Sequence, residues 1–403
     1  MDDPCLRAEA AVGPSEEVPI DIIVRKATRS DQPAIARFIE EAYGARAQYK
    51  AAPRWTWQFV DNPFGARRDD ELPVWIAVDG DRVVGQTAVQ NAVLQVDGET
   101  RNAGWAVDIM ILPSHRGAGI GHRMHEAVFS EVDILVAVKM ADSSRRMAER
   151  LGCVRIGEAH QLTRWVRLDP ASVRQYVMLR TANHPRLHGG ARLACRVFQA
   201  HRVFSLLVNP LLRLRDALER FRGTPGPTKI IEVDRFGSEV DDLWQRTRGD
   251  YPVIFPRDAR FLNWRFVDCP EPSYRRFVAE RDGRTVGYVV LRRAEPVELP
   301  HGIIVDMYAA RSDERTVKDL VRHSLAFFGK DVSAVDCGTS VPEFAAVLRR
   351  HSFFRTRSHH PTCLCQDDTL RERLTELRND WFLSKGDHDW DQIQVAEPAA
   401  VAG

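Results

Sequence analysis

The sequence predicts an α/β protein made of two mixed-sheet (α+β) modules in tandem, joined by a helical linker. Three observations predict it. A glycine-rich turn, Arg116-Gly117-Ala118-Gly119-Ile120-Gly121, connects an apolar strand to an amphipathic helix. Motifs of the first half recur in the second, always 198 to 207 residues later. Between the halves lies an arginine-rich, apolar stretch at 171–222.

The elements of the first half follow in order. Ile22-Ile23-Val24-Arg25-Lys26-Ala27-Thr28-Arg29-Ser30-Asp31 reads as a strand running into a helix start. Residues 74–85 read as a hairpin that turns at Asp79-Gly80, a dipeptide suited to tight turns. Ala106-Val107-Asp108-Ile109-Met110-Ile111-Leu112-Pro113 reads as a strand, and residues 122–129 as a helix.

Such a turn between strand and helix converges backbone N–H groups on an anion. The helix adds its positive dipole end. Glycine permits close approach of the ligand and positive φ. A diphosphate is the natural guest. The spacing of the three glycines does not meet the dinucleotide fingerprint, and Gly121-His122 is not the Gly-Lys-Ser/Thr end of a Walker loop.

The repeat sets the domain plan. Trp57-Gln58-Phe59-Val60-Asp61-Asn62-Pro63 returns as Trp264-Arg265-Phe266-Val267-Asp268-Cys269-Pro270. Val107-Asp108-Ile109-Met110 returns as Val305-Asp306-Met307-Tyr308. The expected division is a disordered acidic tail at 1–19, modules at 20–168 and 228–366, a basic helical linker at 169–227, and a C-terminal helix and tail at 367–403. The second copy has no glycine turn: Glu314, Arg315, Val317 and Asp319 stand where Arg116, Gly117, Gly119 and Gly121 stand in the first. Carboxylates there would repel a diphosphate. The second module is therefore expected to be degenerate and to support the first.

Composition bounds the rest. A chain of 403 residues exceeds what a single core commonly supports. A net charge of +1 argues against bulk nucleic-acid binding. Seven scattered cysteines, an odd number, suit a reducing cytoplasm. Cys363-x-Cys365 near His359 and His360 lacks a second cysteine pair, so a strand is expected there and no metal. No apolar run reaches the ~18 residues of a membrane-spanning helix. The linker holds ten arginines but only Asp216 and Glu219 as acids. Its pattern admits two readings: peripheral contact with an anionic membrane, or packing of helices between modules.

Arg-x-x-Gly-x-Gly after a strand ending in proline resembles the acyl-CoA-binding motif of the GNAT N-acetyltransferase superfamily. The strand at 22–28, the hairpin at 74–85 and Leu151-Gly152-Cys153 fall where that family has its first strand, central hairpin and Leu-Gly-Phe. The chain as a whole resembles tandem GNAT proteins with an intact first half and a degenerate second half. The resemblance implies acetyl-CoA as cosubstrate, with its diphosphate on Arg116, Gly117, Ala118, Gly119, Ile120, Gly121 and His122. It implies backbone contacts from Met110 and Ile111 to the pantetheine amides, beside a splayed strand. It also implies a primary amine of a small molecule or amino sugar as acceptor.

Asp108, on the motif strand, is the candidate base; Asp306 holds the same place in the degenerate copy, so a structural role is an equal reading. Glu158 and His160 are weaker candidates. The family's usual acidic Tyr corresponds to Ala148, a departure that leaves the proton donor unassigned. Tyr49 and Trp55 are the candidate acceptor-binding residues, whereas Trp57, which has a twin, is expected in the core. Other functional readings are a non-catalytic CoA sensor or scaffold, and aminoacyl transfer of the tandem-GNAT, peptidoglycan-bridge type.

Overall fold

The computed structural model describes residues 22–44, 47–50, 53–64, 70–138, 142–181, 184–221, 226–294 and 300–387. The expected tail at 1–19 lies outside the described residues, as do the last residues of the C-terminal tail.

The first sheet starts with β1 (Ile23–Thr28), β2 (Glu71–Asp79), β3 (Arg82–Val96) and β4 (Glu99–Ile111), each antiparallel to the next. β5 (Ile134–Ala137) then runs parallel to β4. α1 (Gln32–Tyr43) buries Ile35, Phe38 and Ile39, a stripe at helical spacing, and stops at Gly44 with φ +53°. After the short helix α2 (Ala47–Lys50), α3 (Ile120–Phe129) packs Ile120, Met124 and Val128 on the sheet. Helix α4 (Asp142–Arg150) leads to β6 (Val154–Arg155) and β7 (Ala159–Trp165).

The linker forms three helices, α5 (Pro170–Thr181), α6 (Pro185–Val197) and α7 (Ala200–Phe221). The second half repeats the plan. It comprises β8 (Lys229–Glu232), α8 (Ser238–Thr247), β9 (Val253–Ile254), α9 (Ala259–Phe266), β10 (Arg275–Arg281), β11 (Arg284–Ala294), β12 (His301–Ala309), α10 (Glu314–Phe328), β13 (Ala334–Thr339), α11 (Pro342–Arg350), β14 (Phe354–His359) and β15 (Thr362–Cys365). Last come α12 (Asp368–Glu376) and β16 (Trp381–Phe382).

The two sheets exchange a strand. The first runs β1-β2-β3-β4-β5-β15-β6 and the second β14-β7-β13-β12-β11-β10-β8. β15, from the second half, lies between β5 and β6, with Thr362 opposite Ala137 and Cys365 opposite Ile134. β7, from the first half, lies between β13 and β14. The hydrophobic cores cross over in the same way. Cys363, Cys365, Phe255 and Trp381 belong to the first core, while Trp57 and Leu162 belong to the second. Ala159–Trp165, which the sequence divides into the first module, thus completes the second sheet.

At the centre, sequence twins meet. Trp57 and Trp264 stack with centroids 4.8 Å apart at an interplanar angle of 18°. Each indole N–H donates to the backbone carbonyl of the other residue, at 2.8 Å from Trp57 and 3.3 Å from Trp264. Reciprocal contact of equivalent residues marks a local two-fold relation between the halves.

Candidate active site

The site is built where β4 leaves β5. Their pairing covers only Ala103–Trp105 against Ile134–Val136, while β4 continues to Ile111. Residues 106–111 thus turn one backbone edge toward a widening gap. On the other edge Met110 and Ile111 pair with Gln86 and Gly85 of β3.

Asp108 marks a β-bulge. Between the pairs Gln86–Met110 and Ala88–Val107, Asp108 and Ile109 together face one residue of β3. Such a bulge re-aims a side chain. Asp108 has φ +54°, a conformation that costs a non-glycine residue about 1–3 kcal/mol. Its side chain is 5% exposed and forms an ion pair with Lys50 Nζ. Lys50 lies at the end of α2, and nothing in its sequence context marks it as the partner of a residue 58 positions away.

The turn after β4 has the geometry of an anion cradle. Leu112 is buried and donates its N–H to Val84 O at 2.9 Å, which anchors the start. Arg116 is exposed, and its Nε donates to Ile111 O at 3.1 Å, so the guanidinium stays at the strand end. Gly117 and Gly119 have φ +89° and +73°. No atom lies within 4 Å of a Cβ built at either residue, so backbone conformation rather than crowding demands glycine. Gly119 is the N-cap of α3, and Ile120 is buried beneath the turn. The first intrahelical bond is Arg123 N to Gly119 O at 3.2 Å. The amides from Gly119 to His122 therefore have no acceptor within the helix. His122 is exposed beside them.

The second module closes the same two features with its own atoms. Asp313 caps α10, accepting from Thr316 N at 3.0 Å, and pairs with Arg281 Nη2 at 2.6 Å. A carboxylate of the chain itself thus takes a first-turn amide at this helix start. The strand gap is filled by residues 381–387. Ser384 bridges to Thr339, and Phe382 packs edge-on against Tyr308. Asp387 accepts from Arg257 Nη2 at 2.6 Å, and Arg257 Nε lies 3.2 Å from Asp306. Asp306 also accepts from Tyr288 Oη at 2.7 Å. Asp306 is a member of this ionic cluster, whereas Asp108, whose side chain is also buried, pairs with Lys50 beside the strand gap.

The other candidates lie elsewhere. Tyr49 belongs to α2, but its side chain lies outside the described residues. Trp55, expected on an acceptor wall, is 6% exposed and packs against Phe59 with centroids 5.4 Å apart, which is a core position. Ala148 is buried in α4. His160 lies on β7, its Nδ1 3.1 Å from Ser358 Oγ and 3.7 Å from Glu158. Burial, only partly offset by Glu158, holds its pKa below the usual imidazole value. Beside it a cavity of about 140 Å³ is lined by Arg145, His359 and His360 with the ends of β5 and β15. Because β15 and β4 flank opposite edges of β5, this cluster is across β5 from the gap. Among the described residues, no group of three or more His, Cys, Asp or Glu could hold a metal ion.

This geometry agrees with the comparisons with known proteins. Residues 23–155 match the family model of the acetyltransferase (GNAT) domain. The tandem of two sheet modules has counterparts among solved structures. A GCN5-related N-acetyltransferase from Anabaena variabilis aligns with a TM-score of 0.56 at 9% identity, over 86% of this chain and 73% of that one. A probable N-acyltransferase from Enterococcus faecalis gives 0.54 at 10% identity, over 85% and 72%. N-myristoyltransferase of Saccharomyces cerevisiae, solved with bound myristoyl-CoA, gives 0.50 at 10% identity, over 85% and 79%. At such identities the likeness is one of fold. No curated protein matches the sequence.

Proposed function

We propose that the first module is an acyl-CoA-dependent N-acyltransferase, with acetyl-CoA as donor and a primary amine of a small molecule or amino sugar as acceptor. One observation carries the reading: the glycine cradle at the start of α3, the diverging edge of β4 and the Asp108 bulge occupy one continuous strand-turn-helix. A CoA diphosphate fits the amides of 117–122 with Arg116 alongside. The pantetheine arm would hydrogen-bond to the free edge of β4 near Met110 and Ile111. That places the thioester toward the bulge.

The chemistry is direct transfer. The neutral amine attacks the thioester carbonyl carbon, the carbon–sulfur bond breaks, and an amide and CoA result. Asp108 takes the proton that the ammonium must lose, directly or through water. Lys50 supports this role, because Asp108 already holds one primary ammonium, which a substrate amine would replace. With alanine at 148, the departing thiolate takes its proton from solvent. Holding both reactants in line supplies most of the acceleration, and alignment of this kind is worth about 7–11 kcal/mol. A second reading, a CoA-binding sensor without turnover, draws on that same Lys50 pair, which would then lock the carboxylate.

Calorimetry of acetyl-CoA binding tests the proposal. The wild type is expected to bind at one site, and Gly119→Glu/Gly121→Asp, which imitates the second copy, to lose binding. Asp108→Asn is expected to retain binding while thiol release with an accepted amine slows by about 10²–10⁴-fold. Failure of the folded wild type to bind would overturn the reading. Binding without thiol release across a panel of amines would select the sensor.

A further inference from the structure

We propose that α6 and α7 form a docking face for the surface of an anionic lipid bilayer. The face is fixed by the way α7 is held. Ser205, Asn209, Leu212, Asp216 and Glu219 recur at three- and four-residue steps along one side. Asn209 brackets Leu168, accepting from its N–H at 2.8 Å and donating to its carbonyl at 3.0 Å. Asp216 and Glu219 each accept from Arg164 at 2.7 Å. These contacts clamp one side of the helix to the body of the protein and turn the other side out.

The outward side is apolar. Val203, Leu207, Leu211, Leu214 and Leu218 are 45–65% exposed, and Phe198 at the end of α6 reaches 68%. At 1.5 Å per residue, the stripe from Val203 to Leu218 runs about 22 Å. Soluble surfaces rarely carry a continuous apolar strip of that kind without a partner. The apolar character also continues inward. A cavity of about 570 Å³ between α5, α6 and α7 is lined by Trp165, Val177, Ala194, Val208 and Leu212. Phe204 belongs to that lining and is itself 52% exposed, so the cavity and the outer face are continuous. An acyl chain has room there.

Charge selects the occupant. Arg186, Arg192, Arg196, Arg202 and Arg213 are exposed around the apolar strip. The only acids of 171–222, Asp216 and Glu219, are committed to Arg164. A second copy docked on this face would set arginine against arginine. Lipid phosphates meet the same arginines with opposite charge, while leucines enter the interface. Among the described residues no helix is long and apolar enough to cross a membrane, so the helices would lie on it.

The inference does not depend on the acyltransferase reading, and sedimentation of the full chain with vesicles tests it. Binding to phosphatidylcholine vesicles that contain phosphatidylglycerol is expected, with much weaker binding to phosphatidylcholine alone. Raising salt from about 0.1 to about 1 M should weaken it, since the screening length shortens threefold. Leu207→Glu/Leu211→Glu/Leu214→Glu and, independently, Arg192→Glu/Arg196→Glu/Arg202→Glu should each reduce binding by at least about tenfold. Both sets lie on the surface, so thermal unfolding and acetyl-CoA calorimetry should match the wild type. No sedimentation with anionic vesicles at low salt would overturn the proposal. So would a dimer in light scattering that the leucine variant abolishes, because a second copy would then cover the face.

Discussion

Asp108 and Asp306 show how one residue type at one place in a repeat comes to two different states. Asp306 is in extended strand, buried against Arg257 and Tyr288. Asp108 sits on a left-handed bulge and pairs with the Lys50 ammonium. The left-handed backbone at Asp108, not the residue type, distinguishes the surroundings of the two carboxylates. His125, one turn into α3, makes a different residue-scale prediction. Burial, with some repulsion from His122, pushes its imidazole down to about 4. An unfolded chain binds the proton near pH 6.5, so between those values protons favour unfolding. The native contribution is complete above pH 6.5 and is lost as pH falls toward 4. His125→Leu should remove up to about 3 kcal/mol of that loss. Melting temperature against pH would read it: the wild type should fall faster than the variant across this window, and parallel curves would refute the assignment.

At the scale of elements, α3 and α10 are the same helix with opposite N-termini. Gly119 leaves the first-turn amides of α3 open, while Asp313 fills those of α10 and ties them to Arg281. Removing this cap by Asp313→Ala should cost about 1–2 kcal/mol, visible as a lower denaturant midpoint. It should not create acetyl-CoA binding, because Ser384 and Phe382 still fill the strand gap beside β12. A gain of CoA affinity in this variant would show that the cap alone silences the second module. The exchanged strands β7 and β15 carry the same lesson about elements. Each supplies ladder bonds to a sheet that its own half of the chain does not build, so neither half has a complete sheet by itself.

For the whole molecule, the Trp57–Trp264 pair is the joint about which the halves are arranged. Each ring is buried and each N–H is satisfied by the other half. Trp57→Ala should destabilise the entire chain by about 3–5 kcal/mol, with Trp264→Ala close to it. The double variant should fall well short of the sum, since each single change already removes the stack. Denaturant unfolding of the three variants measures this. Additive losses would mean that the rings act separately and that the joint lies elsewhere.

Much of this was legible in the sequence. The glycine turn, the flanking strand and helix, and the tandem repeat are local or periodic signals, read from residues that are neighbours in the chain. The absence of the glycine turn from the second copy was legible directly, although the residue that caps its helix, Asp313, lies just before the compared stretch. Trp57 was rightly placed in the core by its twin. Trp55 looked like an acceptor contact because an aromatic near a first helix gives no sign of which way its ring turns. By itself the sequence determined the fold class and the position of the glycine turn, because both rest on short-range geometry: hydrophobic period, turn chemistry and glycine's access to positive φ. Only the tertiary structure decided the exchange of β7 and β15, the Lys50–Asp108 pair and the plugging of the second gap by 381–387. Those contacts join residues dozens to hundreds of positions apart, and chain spacing holds no record of which distant strand fills a vacant edge.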